Sequence, residues 1–171
     1  VMGMKFRFPI VIIDEDYRSE NTSGLGIRAL AKAIENEGFE VVGVTSYGDL
    51  SQFAQQQSRA SAFILSIDDE EFVASGPELD PAAVLNLRKF IEEVRRKNED
   101  VPIYLHGETK TSQHLPNDIL RELHGFIHMF EDTPEFVAKH IIREAKSYME
   151  GIQPPFFKAL LDYAEDGSYS W

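Results

Sequence analysis

The sequence predicts an α/β fold: a three-layer sandwich in which a five-stranded parallel sheet is covered by helices on both faces. Three observations predict it. Short apolar runs alternate five times with longer amphipathic segments. The runs are nearly continuous in Val, Ile, Leu and Phe, as strands buried on both faces require. The 171 residues, 43% apolar and 27% charged, suffice for one such domain with its own core.

The first strand runs from Phe8 to Ile13 and ends in Asp14-Glu15-Asp16. Asn21-Thr22-Ser23 supply a helix cap, Leu25, Ala29, Leu30, Ala33 and Ile34 an apolar stripe, and Gly38 a stop. Phe39 to Thr45 is the second strand, and a short helix around Asp49 to Gln57 leads into the third, Ala62 to Ile67. That strand ends in Asp68-Asp69-Glu70-Glu71.

After a loop through Gly76-Pro77, Asp80-Pro81 starts a helix with Val84, Leu87, Phe90, Ile91 and Val94 inward. Its Glu92, Glu93, Arg95 and Arg96 are left for solvent, and Arg95-Arg96-Lys97 reads as the polar face. Val101 to Leu105 is the fourth strand, with Pro102 near its start, where proline is tolerated. Leu115 to Leu123 forms a short helix that Gly125 ends, Phe126 to Phe130 is the fifth strand, and Thr133-Pro134-Glu135 starts a last helix reaching about Met149. Right-handed crossovers between these units give a flavodoxin-like, response-regulator-receiver-like architecture.

Seventeen Lys and Arg against 29 Asp and Glu leave a formal charge of −12, which repels phosphate backbones and anionic lipid. Nucleic-acid and membrane partners are therefore not expected. No run approaches the roughly 18 to 20 apolar residues of a membrane-spanning helix. The absence of cysteine removes disulfides, zinc-thiolate sites and thiol nucleophiles, and suits a cytoplasmic location. Val1-Met2-Gly3 ahead of Met4 reads as a cloning remnant, residues 4–150 as the folded domain, and 151–171 as a linker.

The linker differs in character from the body. Pro154-Pro155 interrupts the last helix, and a new short helix follows whose Phe156, Phe157, Leu160, Leu161, Tyr163 and Ala164 cover more than one docking face. Each large apolar side chain left wet forgoes roughly 1.5–3 kcal/mol of burial. These residues, with the terminal Trp171, are expected to dock against chain beyond this sequence or against another subunit, and the Ser168-Tyr169-Ser170-Trp171 ending reads as a cut.

Asp14, Glu15 and Asp16 leave the first strand, and Asp68 and Asp69 the third, at the carboxyl edge of the sheet, where such folds bind ligands. In a receiver, carboxylates there hold Mg²⁺ and an aspartate accepts a phosphoryl group; a stand-alone receiver phosphorylated on Asp68 or Asp69 is the alternative reading. Thr109 stands where such a site needs a hydroxyl, but the fifth strand ends in Glu131-Asp132 where it needs a lysine. A solvated acidic rim is the plainer interpretation. Ser23-Gly24-Leu25-Gly26 follows the strand too distantly for a phosphate-binding glycine turn and reads as helix capping. His106, His114, His124, His128 and His140 show no metal-ligand spacing.

Pro154-Pro155-Phe156-Phe157-Lys158-Ala159-Leu160, then Tyr163 and Gly167-Ser168-Tyr169-Ser170-Trp171, with Val101-Pro102-Ile103-Tyr104-Leu105 and Phe130-Glu131-Asp132-Thr133, carry a resemblance. From Met4 to Trp171 the chain resembles the N-terminal wing domain and linker of the bacterial inducible ornithine/lysine/arginine decarboxylases, the Tyr169-Ser170-Trp171 wording being nearer the arginine-specific members. The resemblance implies a parent enzyme that uses pyridoxal phosphate to remove CO₂ from a basic amino acid, yielding a polyamine precursor and consuming a proton in acid resistance. It implies that the cofactor lysine lies in a central domain outside this sequence, so that no catalytic, cofactor or metal residue is expected here. It also implies a wing that helps homodimers assemble into decamers. At pH 5, unperturbed pKa values would bring the net charge from −12 to about −4, so acid is expected to favour assembly.

Overall fold

The computed structural model describes residues 8–67, 79–128 and 131–152. Their order is β1 (Ile10–Ile13), α1 (Thr22–Asn36), β2 (Val41–Val44), α2 (Leu50–Gln56), β3 (Ala62–Ser66), α3 (Pro81–Lys97), β4 (Ile103–Gly107), the single turns α4 (Thr109–Ser112) and α5 (Asn117–Leu120), β5 (Gly125–His128) and α6 (Pro134–Ile152). The strands form one parallel sheet in the order β2-β1-β3-β4-β5. This is the flavodoxin-like topology the alternation predicts.

Successive residues of a strand point to opposite faces, and β1 shows how one run fills two cores. Val11 and Ile13 join Phe63, Phe90, Leu105 and Ile119 beneath α2, α3 and α5. Ile10 and Ile12 join Ile27, Ile34, Ile64 and Ile141 beneath α1 and α6. All four β1 residues are buried. Phe63 and Phe90 meet edge to face at 6.1 Å in the first core, a favourable aromatic geometry.

The caps fall on the residues that can supply them. Asn21 accepts a hydrogen bond from the Gly24 N–H at 2.8 Å, Asp49 from Gln52 at 2.8 Å, and Asp80 from Ala82 at 3.3 Å, with Pro81 opening α3. Val137 N–H donates to the Thr133 carbonyl, so α6 begins its ladder at the expected cap.

Several expectations shift. β1 starts at Ile10 rather than Phe8: Pro9 has no N–H to give the ladder, although its carbonyl accepts from Ser61 N–H, and Phe8 packs on Met149. β4 starts after Pro102 and runs on to Gly107, and the expected helix over 115–123 is one turn, because His124 N–H is already bonded to Ile103 in the sheet. α4 was not foreseen, and α6 continues to Ile152.

Four side chains face otherwise than the periodicity implies: Leu25 and Ala29 are exposed, Glu93 is 14% exposed, and Arg95 is turned inward. Leu25 is 54% exposed, and the buried face of α1 is Gly24, Ile27, Leu30, Ala31, Ala33 and Ile34. Arg95 is not part of a polar face. Its guanidinium donates to the backbone carbonyl of Val101 at 2.5 Å, to that of Glu122 at 2.8 Å and to Glu122 Oε2 at 2.9 Å, fastening α3 to the entries of β4 and β5. Arg96, bonded to Glu93, keeps the solvent role predicted for it.

Candidate functional site

The carboxyl edge of the sheet is where this topology places ligands, and its first loop is held in place by steric fit. A Cβ on Gly24 would overlap the carbonyl oxygens of Asp16 and Ser19, and one on Gly43 would overlap the Tyr17 ring. Arg28 donates to the carbonyls of Tyr17 at 2.7 Å and Ser19 at 2.6 Å. The loop over 14–20 is thereby pressed onto α1 and β2. Gly24 is required by that close backbone approach, which the capping interpretation of Ser23-Gly24-Leu25-Gly26 did not contain.

The predicted acidic residues fare differently within this frame. Asp14 is 4% exposed; its Oδ1 accepts from Asp16 N–H at 2.8 Å, and its Oδ2 has no hydrogen-bond partner among the described residues. Asp16 is half-buried and Glu15 exposed. Asp68 and Asp69 lie outside the described residues, as do the docking candidates Phe156, Phe157, Leu160, Leu161, Tyr163 and Trp171.

Beyond β5, Asp132 Oδ2 accepts from His128 N–H at 2.9 Å, so the carboxylate standing where a receiver needs a lysine is built into the strand's end. Next to it a cavity of about 310 Å³ opens between the starts of α1 and α6, with Ser23, His106, His128, Glu131 and Asp132 among its walls. His106 is buried, its Nδ1 3.0 Å from the Ser66 hydroxyl on the neighbouring strand. The spacing of the histidines along the chain gives no sign that β4 and β5 bring His106 and His128 to one cavity.

This lining does not fit pyridoxal phosphate. Among the described residues neither Lys nor Arg contributes to it, so they offer no amine for the cofactor's aldehyde and no cation for its phosphate, and Glu131 and Asp132 would repel the phosphate. Among the described residues no group of three His, Asp or Glu is disposed to hold a metal ion, and no helix is long and apolar enough to cross a membrane.

The model of the family described as Orn/Lys/Arg decarboxylase, N-terminal domain, matches residues 22–148. The chain belongs to that family. It is an N-terminal domain of the basic amino acid decarboxylases. It is 26% identical to the lysine decarboxylase LdcA of Pseudomonas aeruginosa over 99% of this chain and 22% of that protein. To the biodegradative arginine decarboxylase of Escherichia coli it is 24% identical, over 95% of this chain and 20% of that one. The chain thus spans about a fifth of these relatives.

Among solved structures it superposes on lysine decarboxylase A from Pseudomonas aeruginosa with a TM-score of 0.74 at 25% identity, covering 98% of this chain and 22% of that one. A CheY-like protein of the same organism superposes with a TM-score of 0.56 at 13% identity, over 81% of this chain and 99% of that one. At that identity the likeness to receivers is one of fold.

Proposed function

We propose that this decarboxylase N-terminal domain is a non-catalytic wing, which residues 151–171 connect to a pyridoxal-phosphate body that binds and decarboxylates a basic amino acid. The observation that carries the proposal is the family match over residues 22–148 in a chain spanning only 22% of a lysine decarboxylase. The unsuitability of the 310 Å³ cavity for the cofactor supports it.

The wing's work is assembly of homodimers into decamers in the cytoplasm, in the service of polyamine formation and acid resistance. Leu25, Leu85, Leu120 and Phe136 are large apolar side chains left between 42% and 71% exposed, and they offer surface to neighbouring subunits. Phe156, Phe157, Leu160, Leu161, Tyr163 and Trp171 are the side chains through which the linker meets the body.

Sedimentation of the parent enzyme with and without residues 4–150 tests this role. The truncated enzyme should remain dimeric and keep decarboxylase activity while losing larger assemblies. Larger assemblies that persist without the wing would refute it.

A further inference from the structure

The amino edge of the sheet, opposite the acidic loop, holds a second cleft of about 260 Å³. Asp100, in the loop between α3 and β4, and His124, just before β5, line it together with Glu144, Ser147, Tyr148 and Gly151 on the last turns of α6. Hydrogen bonds tie the elements around it. Arg95 joins α3 to the turn before β5, Asn98 donates to the Ser58 carbonyl at 2.7 Å, and the Tyr148 hydroxyl donates to Asn98 Oδ1 at 3.4 Å.

Inside this frame three ionisable groups stand unengaged. No hydrogen bond or ion pair with a described residue occupies the His124 ring, the Asp100 carboxylate or the Glu144 carboxylate. The His124 ring instead lies 6.3 Å from that of Tyr104, which is 2% exposed and whose hydroxyl also finds no partner among the described residues. Burial first, and then the Arg95 guanidinium, hold the His124 pKa below the ordinary imidazole range, while Glu144 and Asp100 pull the other way. The ring is therefore neutral at pH 7, and among the described residues that line the cleft no Lys or Arg stands with the two carboxylates.

Two nearby arginines are engaged elsewhere. Arg95 is bonded to Glu122, and Arg143 of α6 lies 3.2 Å from Nδ1 of His140, whose ring lies 6.2 Å from that of Tyr104.

We propose that this cleft is an acid-operated latch: a proton taken from solvent by His124 gives Asp100 and Glu144 a shared counter-charge, and the last turns of α6 close onto the base of β4 and β5. Those turns end at Ile152, just inside the 151–171 linker, so the proton governs how firmly the exit from the domain is held. Only this last purpose rests on the wing reading; the latch is a property of this chain.

NMR titration of the 171-residue chain from about pH 7.5 to about pH 4.5 tests it. The His124 ring and the Ser147, Tyr148 and Gly151 amides should move with one midpoint, below that of an exposed histidine. His124→Gln should abolish the movement of those amides and keep the β5 amide pattern at neutral pH, whereas His140→Gln should leave it. Asp100→Asn and Glu144→Gln should each lower the midpoint further. Amides that titrate unchanged in His124→Gln, or a His124 midpoint indifferent to both carboxylate variants, would overturn the latch. The readout needs no cofactor, so its failure leaves the decarboxylase assignment standing, and an inactive parent enzyme would leave the latch standing.

Discussion

Arg95 grips Glu122 twice, Nε donating to the carboxylate at 2.9 Å and Nη2 to the backbone carbonyl at 2.8 Å, although the two residues lie on different elements. The arginine side chain is 15% exposed and that of Glu122 47%, so the ion pair itself is only partly shielded from solvent. Loss of the arginine would also leave the Val101 carbonyl without its charged donor. Arg95→Ala should therefore destabilise the domain by about 2–3 kcal/mol. Arg96→Ala, one residue on and 67% exposed, should change stability by less than about 0.5 kcal/mol. Urea denaturation of the two variants checks both values.

The two glycines of the first helix should respond oppositely to alanine. At Gly24 the added methyl meets backbone carbonyls that cannot swing aside, so Gly24→Ala should cost about 1–3 kcal/mol and loosen the 14–20 loop. At Gly26 nothing lies within 4 Å of the added atom, and Gly26→Ala should stabilise by about 0.8–1 kcal/mol through helix propensity. Thermal melts of the pair separate a steric requirement from a helical cost.

Acid should weaken the fold through His124, because drawing the end of α6 toward the protonated ring offsets only part of the cost of charging a partly desolvated imidazole. Its folded-state pKa lies below the unfolded value, so the unfolded chain binds the proton more readily. The contribution is fully present above the unfolded pKa, near 6.5, and is lost as pH falls from there toward the folded pKa. His124→Gln should flatten that part of the stability profile, which denaturation at a series of pH values would reveal.

Exposure to a small-molecule phosphodonor with Mg²⁺ should leave the chain unmodified. Asp132 puts a carboxylate, bonded to His128 N–H, where a phosphoryl group would need a cation. Intact-mass measurement reads the outcome, and a stable adduct on Asp68 or Asp69 would instead favour the receiver interpretation.

Much of this fold is legible in the sequence because its signals are local. The apolar runs that became β1 and the first three residues of β3 are buried, and Asn21 and Asp80-Pro81 cap the helices they announce. The contacts that position the edges are not local. Gly24 reads as a flexible cap until the carbonyls of Asp16 and Ser19 are seen against it. Arg95 looks like one of three exposed cations until Val101 and Glu122 are seen to surround it. The acidic loop was visible as three carboxylates in a row, but the capture of Asp14 Oδ1 by a backbone N–H depends on how the chain turns. The cleft at the opposite edge joins Asp100, His124 and Glu144 from three segments, and no window of sequence holds them together.

The central claim is that this wing belongs to a cofactor-bearing decarboxylase, and CO₂ release tests it most directly. The chain is compared with the same polypeptide extended through its natural downstream coding sequence, each supplied with pyridoxal phosphate and, in turn, lysine, arginine and ornithine. The extended protein should bind the cofactor and release CO₂ from at least one of the three, and the 171-residue chain from none. An extended protein inert toward all three, or a 171-residue chain that turns over by itself, would contradict the account.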